Sequence, residues 1–334
     1  MATILLLGAG FSANWGAPVT SGVFNALIAH PEVRGNRAIH DLLWQNRGNF
    51  EKALAALQEN FRHDPQRQKA PLLLLQRGIQ QTFERINGIY TRQPFELQDG
   101  RPIYRNQTVV EFLARFDAIF TLNQDLLLEL HYLDHSHNQL TSSRRWNGSC
   151  LPGMAPGGEA VGFGGPAFSG RTWSPKQDHA VPNNTQPIYK LHGSTNWRDT
   201  GANADIMILG GGKIEAINAI PVLRHYHETF AQQALSGGTR ATIIGYGFGD
   251  DHINAVLKEG VGDRGLQMYV IDPRGAAIAF EARPLKEGQI GCGPTEFEAW
   301  FQRGLYSASQ MPLRHLLREE SVDIGVLSNF LAGR

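Results

Sequence analysis

Five short apolar runs recur along the chain, and each one ends in glycine or polar residues. They lie at 4–7, 116–122, 188–191, 241–244 and 267–271. Continuous apolar runs of this length are typical of strands that are buried on both faces of a parallel sheet. Because helical stretches follow several of them, the pattern predicts an α/β fold, a Rossmann-like doubly wound parallel sheet.

Two longer segments interrupt this alternation. Residues 32–116 carry apolar positions at helical spacing, which predicts a helical insertion that serves as a scaffold or an oligomer face. Residues 136–187 are rich in Gly, Pro, Ser and Asn and predict a long loop, for which a lid and plain disorder are equally open. We interpret 1–334 as a single domain that contains both segments.

Polar residues follow the predicted strands at their carboxyl ends, where open α/β sheets bind ligands. The set consists of Gly8 to Ser12, Asn123 with Asp125, His192 with Ser194, the stretch 245–250, and Asp272. Each has a structural explanation by itself, since Asn-x-Asp often caps a helix and a lone His often serves only as a hydrogen-bonding residue. Their joint occurrence in this order favours a binding site.

The first of these turns, Gly8-x-Gly10-x-x-Ala13, fits the dinucleotide-binding pattern, in which Gly10 would let the backbone approach a pyrophosphate. A Rossmann dehydrogenase would also need an acidic residue at the end of a second strand about 20 residues on. Glu32 is at that distance, but it follows His30-Pro31 and no predicted strand precedes it. A dehydrogenase is therefore the weakest of the enzymatic interpretations.

Composition narrows the classes of partner. Lys+Arg and Asp+Glu number 31 each, so the net charge of zero argues against a broad electrostatic grip on nucleic acid or on an anionic membrane. The two cysteines are far apart in sequence and form no Cys-x-x-Cys pair, which argues against a cysteine-based zinc site. No apolar run approaches the length of a membrane span, and we expect a cytoplasmic protein without a metal.

Several strings resemble the signature blocks of the sirtuin superfamily. They are GAGFS at 8–12, TLNQD at 121–125 and LHGS at 191–194. The fuller strings KLHGSTNW at 190–197, ILGGGK at 208–213 and GYGFGDDHIN at 245–254 look like the bacterial sirtuin-like branch found in antiphage defence proteins. The resemblance covers about residues 1–30 and 110–275, and it implies a fold that binds NAD.

The resemblance also implies roles for individual residues. Gly8, Ala9, Gly10 and Ser12 would hold the pyrophosphate and the neighbouring ribose, Gly245 and Phe248 would line the adenosine half, Asp272 would suit its ribose hydroxyls, and Ser194 would belong to the cofactor-binding set. Asn123 would contact the nicotinamide-side ribose or position the attacking group, and Asp125 would order the nicotinamide pocket. His192 would be the general base.

Departures from the family change the expected reaction. The four-cysteine zinc module of deacylating sirtuins is missing, and Val19-Thr20-Ser21 stands where those enzymes have Asp-Phe-Arg. With no acyl-lysine groove, water is the expected acceptor, and NAD would be hydrolysed to nicotinamide and ADP-ribose. A protein deacylase and a non-catalytic module that senses NAD or ADP-ribose are the alternatives, and hydrolysis versus cyclisation stays open.

The cellular role follows from the same resemblance. The chain would be the NAD-depleting effector of an antiphage, abortive-infection system, held inactive until triggered. We expect a homo-oligomer gated by a partner, with a hexameric translocase-type ATPase favoured over a short Argonaute-type protein.

Overall fold

A computed structural model describes residues 1–96, 108–133, 145–157, 172–202, 204–280, 294–317 and 321–334. Its centre is a seven-stranded sheet in the order β11-β10-β9-β1-β2-β6-β3, in which every neighbouring pair is parallel. The seven strands are β1 (Thr3–Leu7), β2 (Ala118–Thr121), β3 (Gly148–Cys150), β6 (Thr185–Lys190), β9 (Arg240–Ile244), β10 (Gln267–Ile271) and β11 (Leu305–Ser309). The predicted Rossmann-like α/β fold is confirmed.

Helices connect the strands of this sheet and make up most of the insertion between β1 and β2. The longer ones are α2 (Thr20–Ala29), α4 (Arg37–Gln45), α5 (Phe50–His63), α6 (Pro65–Tyr90), α8 (Lys213–Ala219), α9 (Pro221–Ala234), α10 (Asp251–Asp263), α11 (Glu296–Gly304) and α13 (Val322–Ala332). Short ones are α1 (Ala9–Ser12), α3 (Pro31–Arg34), α7 (Val109–Leu113) and α12 (Leu313–Leu316), with 3-10 turns at Ala13–Trp15 and Gly275–Ala279 and a π-helical turn at Glu129–Leu133. Among the described residues, no helix is both long and apolar enough to cross a membrane.

The first strand lies in the middle of the sheet and is almost wholly buried. Ile4, Leu5, Leu6 and Leu7 are all fully shielded from solvent. On one side Leu5 is paired with Ile119 of β2, and on the other with Thr242 of β9. Strands β2, β6 and β3 extend the sheet on one side of β1, and the later strands β9, β10 and β11 extend it on the other. A crevice therefore opens at the carboxyl ends of β1 and β9, where such sheets bind ligands.

A second, smaller sheet takes two of its four strands from the segment predicted as a long loop. It has the order β4-β5-β7-β8, formed by β4 (Met154–Pro156), β5 (Trp173–Pro175), β7 (Gly193–Asp199) and β8 (Ala204–Met207). The interpretation of 136–187 as loop throughout is wrong for its described part, which also supplies β3. Residues 134–144 and 158–171 lie outside the described residues.

Helices α3 to α7 occupy the described part of 32–116, as the apolar spacing predicted. Local capping explains two of their boundaries. Asn49 accepts a hydrogen bond from the backbone N–H of Lys52 and begins α5, and Asp64 accepts one from Arg67 and begins α6. Near the C-terminus, β11 pairs with β10 and adds an edge strand to the main sheet, although none of the five apolar runs lies there.

Candidate functional site

The glycine turns after β1 and β9 pack directly against each other. The backbone N–H of Gly8 donates to the carbonyl of Ile244, and that of Gly10 donates to the carbonyl of Gly245, both at 2.9 Å. A Cβ on Gly10 would lie 2.7 Å from the α-carbon of Gly245, and a Cβ on Gly245 would lie 2.4 Å from the Gly10 backbone. The close backbone approach at Gly10 is thus made by Gly245, and it fixes both turns at the head of the crevice.

Above these turns opens a cavity of about 830 Å³. That volume is in the range of pockets that hold a drug-sized or cofactor-sized molecule. Its wall at the sheet edge includes Gly8, Ala9, Gly10, Ser12, Asn123, Asp125, His192, Gly245 and Asp272. The structure therefore brings nine of the eleven predicted site residues to one cavity.

The helical insertion forms the opposite wall, which the scaffold interpretation of 32–116 did not include. Arg47, Gly48, Asn49, Phe50, Glu51, Phe83 and Ile86 all line the cavity. Arg47 lies just beyond α4 with a positive φ of 52°, and Glu51 is in the first turn of α5. The turn between two scaffold helices thus contributes one cationic and one anionic side chain to the site.

Asn123 is held against the first glycine turn. Its side-chain Nδ2 donates to the carbonyl of Gly8 and to the Oγ of Ser12, both at 3.0 Å. Both bonds use the amide nitrogen, so the side-chain oxygen keeps its capacity to accept a hydrogen bond. This anchoring orients a neutral polar group at the cavity wall.

His192 follows β6 and is only 2% exposed. Its Nε2 is 3.1 Å from the Nε2 of His252, in the first turn of α10. Burial, together with the nearby charge of Lys213, lowers the pKa of His192 well below its usual value. The imidazole is therefore neutral at physiological pH and can accept a proton.

A charged cluster joins the insertion to the second glycine turn. Lys213, at the start of α8, places its Nζ 2.6 Å from a carboxylate oxygen of Glu51 and 2.7 Å from one of Asp250. Burial opposes the charge of Lys213, but the two carboxylates outweigh it and raise the pKa of the ammonium group. The insertion is thus held to the sheet edge by an ion-paired lysine.

Two predicted site residues lie away from the cavity wall. Ser194 is fully buried, and its Oγ donates to Glu129 Oε1 at 2.8 Å. Glu129 also pairs with Lys190 at 2.6 Å, with both side chains 2% exposed. Ser194 therefore belongs to a polar network within the core, and not to the surface that a ligand would contact.

Phe248 is the second such residue. It has a positive φ of 54° and packs its ring against Phe297, Trp300 and Phe301 of α11. The neighbours Gly245, Tyr246, Gly247, Gly249 and Asp250 line the cavity instead. The side chain that was expected to contact adenosine packs the glycine turn against α11 instead.

Asp272 does line the cavity, but its carboxylate already has a partner. Arg274 donates from its backbone N–H and from Nε to Asp272 Oδ1 at 3.0 and 2.8 Å. Arg274 also lines the cavity. A ribose hydroxyl at this position would therefore meet an Asp–Arg pair and not a lone carboxylate.

Sequence reasoning missed Arg47, Glu51, Lys213 and His252. Lys213 stood inside the quoted string ILGGGK, and His252 stood inside GYGFGDDHIN. Both strings indicated the resemblance only; Lys213 lines the cavity, and His252 lies beside it against His192. Arg47 and Glu51 had only one local signal, a Gly-Asn pair typical of a turn before a helix.

Comparison with known families identifies the fold's relatives. The profile of the SIR2-like domain matches residues 117–290, which is just over half of the chain. A search of curated proteins finds no match. SIR2-like domains are generally enzymatic and use NAD as substrate, and the matched region runs from β2 past β10 and contains Asn123 and His192. The chain belongs to the SIR2-like family.

Proposed function

We propose that this protein hydrolyses the nicotinamide–ribose bond of NAD and releases nicotinamide and ADP-ribose. The main observation in support is that Asn123 and His192 line the same cavity of about 830 Å³. This cavity lies between β1 and β9, where the order of the strands reverses direction. A dinucleotide needs a crevice of this size and position. A module that only binds NAD needs neither an oriented amide nor a buried neutral base.

The cationic side chains of the wall favour an anionic ligand. Arg47, Lys213 and Arg274 all line the cavity, and the last two are paired with carboxylates. Within the described part of the chain, Arg47 forms no salt bridge. Because the N–H groups of Gly8 and Gly10 are already used by backbone carbonyls, Arg47 is the side chain best suited to contact the pyrophosphate.

The proposed hydrolysis breaks the C1′–N bond, forms a C1′–O bond and releases one proton. The C1′–N bond breaks, its electron pair goes to the nicotinamide nitrogen, and the leaving group departs neutral. Positive charge develops on the ribose, and a water oxygen forms the new bond to C1′. The water gives up a proton, which neutral His192 accepts, while the Asn123 side-chain oxygen orients the water by accepting its other hydrogen.

The missing four-cysteine zinc module fits the same chemistry. Without an acyl-lysine partner, water is the available nucleophile once nicotinamide has left. Because such a hydrolase depletes its own cell of NAD, we also propose that it acts as a gated effector in antiphage defence. Assembly into a homo-oligomer and a translocase-type ATPase partner would provide the gate, and loss of phage protection in cells that carry Asn123→Ala would support this role.

The test separates binding from turnover. We expect Asn123→Ala and His192→Ala each to lower kcat by about 10²- to 10⁴-fold, the usual contribution of a positioned acid–base group. NAD binding, measured by calorimetry, should change far less than kcat. As a matched control, His225→Ala removes a histidine from α9 that stacks on His179 and does not line the cavity. Wild-type turnover in folded Asn123→Ala or His192→Ala would contradict the assignment.

A further inference from the structure

Three histidines from three different elements meet beside the cavity. His192 follows β6, His227 lies on α9 and His252 lies on α10. One ring nitrogen of each lies within 4.8 Å of those of the other two. Among the described residues this is the only cluster of three or more His, Cys, Asp or Glu side chains placed to share a metal ion.

The spacing of the first pair suits a metal ion. A tetrahedral ion with Zn–N bonds of about 2.0–2.1 Å holds its nitrogen ligands roughly 3.3 Å apart. The Nε2 atoms of His192 and His252 are 3.1 Å apart. Without a metal, one of these two rings must carry the proton that lies between them. A bound ion would take its place, and that ring would adopt the other neutral tautomer.

The third ring is oriented as metal-binding histidines usually are. His227 Nε2 donates to the backbone carbonyl of Leu191 at 2.9 Å. This bond fixes the proton on Nε2 and leaves the lone pair on Nδ1. A backbone carbonyl that receives the second N–H is the common outer-shell partner of a histidine ligand. One nitrogen of the His227 ring lies within 4.8 Å of a nitrogen of each of the other two rings, so the third ligand comes from the same cluster.

Protonation and charge also suit a cation. Burial lowers the pKa of His227 to about 4, and it lowers the pKa of His192 and His252 as well. All three rings are therefore neutral ligands at physiological pH. The charged side chains that act on the His192 and His252 rings are Lys213, Asp250 and Asp251, and together they carry a net negative charge.

We propose that His192, His227 and His252 bind one borderline divalent cation of the zinc class, and that the bound ion switches the hydrolase off. The inhibitory half of this proposal rests on the proposed function. His192 lines the cavity, so its coordination removes the base that would accept the proton of water. Unlike control by an ATPase partner, inhibition by a bound ion would require no second protein.

The binding test uses the full-length protein after treatment with a chelator and buffer exchange. Zinc chloride is titrated by calorimetry, and cobalt chloride is titrated in parallel because tetrahedral Co²⁺ gives intense visible absorption. We expect one ion per chain. Loss of an outer-shell partner alone weakens a metal site about 10- to 100-fold. His252→Ala and His227→Ala, which remove ligands, should each weaken binding by at least ~100-fold and abolish the cobalt spectrum. The control His225→Ala, which changes a histidine on the same helix as His227, should leave both unchanged.

The activity test compares each protein with its own metal-free rate. Wild-type NAD turnover should fall at least tenfold when the site is filled with zinc, and EDTA should restore it. In His252→Ala the zinc concentration for half inhibition should rise at least ~100-fold. Zinc affinity that is equal in wild type and in His252→Ala overturns the site, and undiminished turnover at full occupancy overturns the inhibition. If stoichiometric zinc binds but the metal-free protein, which binds NAD, releases no nicotinamide, the hydrolase fails and the metal site stands.

Discussion

Replacing Gly245 with alanine tests how the two glycine turns are held together. Gly245 has a φ of +61°, in the left-handed region, and its added Cβ would lie 2.4 Å from both the α-carbon and the carbonyl carbon of Gly10. The left-handed conformation disfavours an L-residue by roughly 1–2 kcal/mol. Forcing a methyl group into packed backbone adds about 1–3 kcal/mol. We therefore expect Gly245→Ala to lower the free energy of unfolding by about 2–5 kcal/mol.

The matched control lies four residues along the same turn. Gly249 has no positive φ, and nothing lies within 4 Å of the Cβ that alanine would add. Gly249→Ala should therefore change the free energy of unfolding by no more than ~0.5 kcal/mol, as surface substitutions usually do. Urea unfolding followed by circular dichroism measures both variants against wild type. Equal urea midpoints for the two variants would refute the reasoning, because only Gly245 combines a left-handed backbone conformation with a close contact to Gly10.

Four further predictions concern the pH dependence of activity, the pH dependence of stability, the buried ion pair and the insertion. Because the pKa of His192 is lowered, kcat/KM should stay level as pH falls through the ordinary histidine range near 6.5 and decline only at lower pH; a decline centred near 6.5 would contradict this. Over the same range the free energy of unfolding should fall with falling pH, because His192 takes up a proton in the unfolded chain but not when it is buried in the native protein. Urea midpoints measured between about pH 7 and 5, across the ordinary histidine range, would show this decrease. Glu129→Gln leaves the charge of Lys190 buried without its partner and should reduce the free energy of unfolding by about 3–5 kcal/mol. The control Glu59→Gln, in an exposed pair, should reduce it by at most ~1 kcal/mol. Similar urea midpoints for the two variants would refute the difference. Arg47→Ala should raise KM for NAD with little change in kcat, and an unchanged KM would remove Arg47 from pyrophosphate binding.

The central strands and their turns could be predicted because their signals are local. A run such as 4–7 reads as a buried strand without reference to the rest of the chain, and the glycines that follow mark the turn. Strand β11 gave no such signal. Its sequence LYSAS alternates with polar residues, as suits the edge of a sheet with only β10 beside it.

The site was predictable only where residues follow strands directly. Asn123 and His192 fit that rule, because parallel strands deliver their carboxyl ends to one edge. His227 does not, since it lies within α9 and reaches His252 only through the packing of two helices. Phe248 shows the converse case. Its place in a glycine turn suggested ligand contact, but three aromatic residues about fifty positions further on draw its ring into the core.

The insertion illustrates a third limit of local patterns. Its apolar spacing predicted helices that pack together, and those helices are present. The spacing held no information on which polar residues would face the crevice, because that depends on how α5 and α6 dock beside the sheet. Glu51 resembles an ordinary first-turn acidic residue until its contact with Lys213 is seen.

The central claim is that this cavity cleaves NAD with water. The most direct measurement incubates NAD with the purified protein in ¹⁸O-labelled water, with protein in excess so that even slow turnover is counted, and separates the products by chromatography and mass spectrometry. Hydrolysis predicts nicotinamide and ADP-ribose in equal amounts, with one heavy oxygen in the ADP-ribose, and formation of both products slowed about 10²- to 10⁴-fold in Asn123→Ala. Intact NAD after incubation with a protein that binds it would contradict the account and leave a module that binds NAD without cleaving it.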